Sequence, residues 1–113
     1  MEKFMLLFRG SDVYQPGQPA ETFLALKGKL VNWVIGLSEK GIHIASEPLQ
    51  PGGKQVTKKT VTDAPYGEGR EIIGGCTIVQ ARDITEAVEI ARSCPILDTN
   101  ANIEIRPIQN LEV

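Results

Sequence analysis

Apolar residues run almost without a break from Phe4 to Phe8, between Lys3 and Arg9. A run this short and continuous predicts a strand covered on both faces. From Ala20 to Lys40 the period changes: Phe23, Leu26, Leu30, Trp33 or Val34, and Leu37 recur at three- and four-residue steps, the stripe of an amphipathic helix. Gly28 and Gly36 weaken that helix by about 1 kcal/mol each relative to alanine, and Gly41 ends it as a left-handed cap. Strands are expected again over Ile42–Glu47 and Ile72–Ala81, with Gln55–Thr62 a short strand or hairpin arm. Asp83 stands at the cap position of a second helix. Glu86 follows at the spacing of a capping box, and Ile84, Ala87, Val88 and Ala91 form its apolar face. Pro95 ends that helix, and Asn102–Ile108 reads as the last strand.

The segments between are turn chemistry. Gly10–Pro19 holds two prolines and two glycines, Pro48–Gly53 breaks the second strand, and Asp63–Gly69 joins two strands as a loop. The order is βαββαβ, which favours one antiparallel sheet with both helices on one side, hence an α+β domain. The 113 residues make one domain, 1–113, with no internal repeat.

Strand parity then separates two sheet faces. Phe4, Leu6 and Phe8, Ile42 and Ile44, and Ile103 and Ile105 are the purely apolar sets expected under the helices. Met5, Leu7, Arg9, His43, Ala45, Glu47, Glu104 and Arg106 are expected on the far side. That mixed face is too apolar for water and too charged for a dry core, so a second subunit is expected to cover it. Arg9 and Arg106 are candidates to hold a carboxylate; the alternative is that they pair with glutamates on neighbouring strands. His43, the only histidine, is a candidate general base or a structural strand residue.

Composition narrows the partners. A formal net charge of −2 does not resemble a nucleic-acid binder, and Lys54, Lys58 and Lys59 read as a solvated hairpin edge. No apolar run nears the roughly 18 residues of a membrane span. The short apolar start lacks the features of a signal peptide, so a cytoplasmic location is expected. Cys76 and Cys94 have no CxxC spacing and read as reduced thiols. No clustered ligands suggest a metal or other cofactor. Asp63-Ala64-Pro65-Tyr66-Gly67-Glu68-Gly69 is the most unusual stretch. Its glycines do not form a phosphate loop. Asp63 either holds the turn or projects into a pocket as an acid or base, with Tyr66 as a wall.

Several segments together resemble the YCII-related family, in the branch named for an Asp-Gly-Pro-Phe motif. Lys3-Phe4-Met5-Leu6-Leu7 looks like its opening strand, and Glu47-Pro48-Leu49-Gln50-Pro51 is similar to its Gly-Glu-x-Leu-x-Pro segment. Thr62-Asp63-Ala64-Pro65-Tyr66 sits at the naming motif, with Ala64 and Tyr66 in place of its glycine and phenylalanine. Glu71-Ile72-Ile73-Gly74-Gly75 resembles the family's Glu-x-x-Gly-Gly segment, and Ala91-Arg92-Ser93-Cys94-Pro95 and Glu104-Ile105-Arg106-Pro107 resemble its C-terminal segments. The resemblance implies a ferredoxin-like fold that pairs sheet to sheet as a dimeric α+β barrel, and an uncharacterised role. The other branch's suspected activity rests on a His–Asp pair that is not carried over to His43. Members near sigma-type transcription regulators imply a sensory or accessory role.

Two functions are therefore expected. One is a homodimer that binds a small polar or anionic metabolite between the sheet and the Asp63 loop. Asp63 and His43 would act there as catalytic acid and base, and Arg9, Glu47, Tyr66, Glu104 and Arg106 would contact the substrate. The other is a non-enzymatic sensing or interaction module.

Overall fold

Strand β1 (Glu2–Arg9) lies at the middle of the sheet, as its apolar run requires. The computed structural model describes residues 1–10, 20–50, 52–64 and 72–111. Helix α1 (Ala20–Glu39) follows β1, then β2 (His43–Pro48), β3 (Gly53–Val56), β4 (Val61–Ala64), β5 (Ile73–Ala81), α2 (Ile84–Arg92) and β6 (Asn102–Pro107). Four strands form one antiparallel sheet in the order β2-β5-β1-β6. With both helices on one face, this is an α+β fold of ferredoxin-like kind. β3 and β4 form a separate two-stranded hairpin. The expected single arm over Gln55–Thr62 is thus the end of one strand, a turn and the start of another. Thr57 closes the turn, its hydroxyl accepting from the Lys59 and Thr60 amides at 3.3 and 3.0 Å.

The core forms where the strand parity puts it. Phe4 (1% exposed), Leu6 and Phe8 pack with Val79 and Ala81 of β5 and with Leu26, Leu37, Ala87 and Ala91 of the helices. Ile103 and Ile105 flank them. Helix α1 ends as expected. Gly41 takes φ 72°, its amide donates to the Ser38 carbonyl, and the Ile42 amide donates to Leu37. This is a Schellman closure. In α2, Asp83 caps by accepting from the Glu86 amide at 2.9 Å. The Glu86 carboxylate reaches back one residue beyond the cap and accepts from the Arg82 amide at 3.0 Å. That backbone bond, with the Arg82 side chain, holds the Glu86 carboxyl below its usual range. Arg92 closes α2; Pro95 comes later and starts a short 3-10 turn, Pro95–Asp98.

Strand β2 departs from strict alternation. His43 pairs with Val79 and Ala45 with Ile78, neighbouring positions on β5. Ile44 is therefore an extra residue, a β-bulge. The bulge turns His43 to the helix side with Val79, correcting its expected place on the mixed face, and leaves Ile44 39% exposed. Ala45 and Glu47 keep to the open face.

Gly75 of β5 lies close against the end of β2, opposite Pro48. An added Cβ would meet the Glu47 carbonyl oxygen at 3.0 Å and the Pro48 Cα at 3.2 Å. Both are backbone atoms, so the edge strand itself would have to shift. Gly75→Ala is expected to cost about 1–3 kcal/mol, read as a lower urea midpoint with unchanged slope.

Candidate functional site

The open sheet face gathers some of the expected site residues and separates others. Arg9 and Glu104 meet there, with Arg9 Nε and Nη2 each 2.9 Å from Glu104 Oε1. Arg106 Nη1 lies 3.4 Å from the other oxygen, Oε2. The Arg9 hydrogen bond, chiefly, holds the Glu104 carboxyl below its usual range, with Arg106 adding to it. A lowered folded-state pKa stabilises the fold above the unfolded pKa, and that stabilisation is lost as pH falls through the folded value. Glu104 thus occupies the position an outside carboxylate was expected to fill, and the arginines pair with it as sheet neighbours do.

Glu47 lies on the same face but elsewhere. Glu47, Cys76, Leu7 and Glu104 form one lateral row across β2, β5, β1 and β6. The two glutamates sit at its ends, about 14 Å apart at the usual strand spacing. Between them the face is apolar, with Leu7 and Cys76 in this row and Met5 and Ile78 in the next, all half-buried.

Asp63 belongs to neither row. It lies in β4 rather than in a loop, 88% exposed in its side chain, and Lys54 of β3 donates to its Oδ1 at 2.6 Å. Asp63 and His43 lie in different sheets, each with its own partner, so the described residues do not bring the expected acid and base together. Tyr66 lies outside the described residues, as do the other residues of 65–69 in the expected Asp63 loop.

A recess lies on the opposite side, between α1 and the β2–β5 edge of the sheet. It encloses about 450 Å³, within the range of small-molecule sites. Phe8, Leu26, Leu30, Trp33 and Val34 supply its apolar wall. Helix α1 is anchored beside it at Trp33. Trp33 packs edge-on to Phe8 with centroids 6.4 Å apart, and its Nε1 donates to Ser93 Oγ at 2.8 Å. The helix is thereby held toward α2, and the floor below is widened by Gly74 and Gly75, which bring no side chains.

One polar element interrupts the wall. Thr77 (1% exposed) and Ser46 both line the cavity, and their hydroxyl oxygens lie 2.8 Å apart. Ser46 Oγ is in turn 2.8 Å from His43 Nε2. Only the β2 bulge makes this chain possible, because it sets His43 and Ser46 on the same side. Sequence reasoning singled out His43 but placed it on the wrong face, and passed over Ser46 and Thr77, which carry no signal as a strand serine and threonine.

Three further findings bound the chemistry. Among the described residues, no three His, Cys, Asp or Glu side chains group closely enough to hold a metal ion. Cys94 is buried, and that burial pushes its thiol up to about 11, leaving it protonated and unreactive near neutral pH. No described helix is long and apolar enough to cross a membrane.

No curated protein matches the chain. The profile of the YCII-related domain matches residues 4–112, nearly the whole length. The match takes in both the open face and the cavity, and the chain belongs to the YCII-related domain family.

Proposed function

We propose that this chain works as a homodimer, paired through the open face of its sheet, and binds a small molecule in the cavity under α1. The ligand is mainly apolar and carries one polar end. The single observation behind this reading is the cavity of about 450 Å³ whose apolar wall is broken by the hydroxyls of Thr77 and Ser46. A buried hydroxyl facing an apolar space is matched by one hydrogen-bonding group on a ligand, not by a fully charged one. The expected anionic metabolite fits less well, since Arg9 and Arg106 already engage Glu104.

A fragment screen by ligand-observed NMR tests the reading. Bicyclic aromatic compounds with one polar atom are expected to bind. Val34→Phe fills the cavity from the helix side and should abolish that binding without lowering the melting temperature by more than a few degrees. Thr77→Val keeps the shape, removes the hydroxyl, and should weaken binding roughly five- to tenfold. Equal affinity in all three proteins would place the ligand elsewhere.

One observation favours a second reading, an interaction module. Helix α1 leaves Leu24, Val31 and Ile35 61%, 48% and 49% exposed, the last two bordering the cavity and Leu24 clear of it. These form a stripe at helical spacing, the sort of face that meets another protein. Recovery of one regulatory protein by the native chain but not by Leu24→Glu, which lies outside the cavity lining, would support it.

A further inference from the structure

We propose that His43, Ser46 and Thr77 form a reversible hydrogen-bond chain that sets which polar group the cavity accepts. The inference rests on the cavity being the binding site, as proposed above. Its basis is the line of three atoms, His43 Nε2, Ser46 Oγ and Thr77 Oγ1, with both gaps 2.8 Å. The inner end, Thr77, is 1% exposed and lines the cavity. The outer end, His43, is only half-buried and can exchange protons with solvent.

Each hydroxyl in such a line has one hydrogen to give. When His43 is neutral with its proton on Nδ1, Nε2 accepts from Ser46. Ser46 then accepts from Thr77, and Thr77 Oγ1 turns a lone pair to the cavity. A ligand must supply a donor there. When His43 is protonated, Nε2–H can only donate. Ser46 donates onward to Thr77, and the Thr77 hydrogen points into the cavity. A ligand must then supply an acceptor. Neutral His43 with its proton on Nε2 also gives the second arrangement, so acid does not create the acceptor-binding state. It removes the donor-binding one. No covalent bond between heavy atoms changes; one proton from solvent joins His43, and two hydroxyls rotate.

Of the three side chains in the line, only the imidazole can gain a proton, and among the described residues no charged group is paired with it. β5, which pairs with it, carries no charged side chain; its Cys76 lies on the other face. Glu47 on β2 also lies on the open face. Glu39 and Lys40, at the end of α1, are exposed, and among the described residues neither makes an ion pair with His43.

The test uses indole, which offers a donor and no strong acceptor, and 1-indanone, which offers an acceptor and no donor. The two are close in shape, and neither titrates between about pH 5 and 8, so any pH dependence belongs to the protein. Their dissociation constants are measured by NMR at both pH values. The ratio of indanone to indole affinity is expected to rise roughly five- to tenfold on acidification. In His43→Gln, whose amide can still hydrogen-bond to Ser46 but gains no proton, the ratio should not move. In the ligand-free native chain, the Thr77 methyl resonance should titrate with the same midpoint as the His43 ring. A Thr77 methyl that ignores the His43 titration overturns the chain, whatever binds. Co-titration with an unchanged affinity ratio, or with neither probe bound, overturns its role in selecting a ligand. The last of these, with a negative fragment screen, also removes the proposed cavity site.

Discussion

Phe4→Ala is expected to cost about 3–5 kcal/mol of folding stability. Phe4 is 1% exposed and sits on the innermost apolar face of β1 between Val79 and Pro107 on its neighbours. Removing the ring takes away its transfer free energy and leaves a hole that three paired strands cannot close. Domains of this size are stable by roughly 5–15 kcal/mol, so the loss is a large share. With a urea slope of about 1–3 kcal/mol per molar, the midpoint should fall by more than about 1 M. Phe23→Ala is the comparison. Phe23 is 42% exposed, and its truncation should cost about 1 kcal/mol or less. Equal losses for the two variants would mean that β1 does not pack as described.

Leu7→Lys is expected to convert the proposed dimer into a folded monomer. Leu7 stands at the middle of the open face, beside Cys76 and opposite Glu104. In a separate protomer, lysine is well placed there. Its stem lies along the sheet, and its charge faces a carboxylate across the strand pair. Between two stacked sheets the same ammonium would lose its water with no new partner, a cost of several kcal/mol per protomer. Sedimentation at micromolar concentration is expected to show a dimer for the native chain and a monomer for Leu7→Lys, with equal far-ultraviolet circular dichroism. A native monomer, or a variant that remains dimeric, removes the open face as the interface.

Both experiments lean on features that strand parity alone exposes. Phe4, Leu6 and Phe8 alternate with Met5, Leu7 and Arg9, and the structure buries the first set and half-exposes the second. The element order, the Gly41 closure and the Asp83 cap are equally local. Each depends on residues within one turn or strand of one another, which is why sequence position suffices to find them. The two-sided character of the sheet is legible for the same reason.

The site is not. His43 turns to the helix side because Ile44 is an extra residue opposite Ile78, and a bulge is a property of two paired strands rather than one. Asp63 stands away from the expected pocket because its partners are Lys54 and a neighbouring strand, not a turn. Whether the arginines clamp an outside anion or pair with a glutamate is decided by the β1–β6 register, which sets Glu104 between them. The cavity depends on how far α1 stands from the sheet, which the stripe Leu26, Leu30, Leu37 does not encode. Local periodicity determined which side of each regular strand and helix is apolar. The long-range register between β1, β2, β5 and β6 decided which polar groups meet, because a shift of one residue reverses every side chain beyond it.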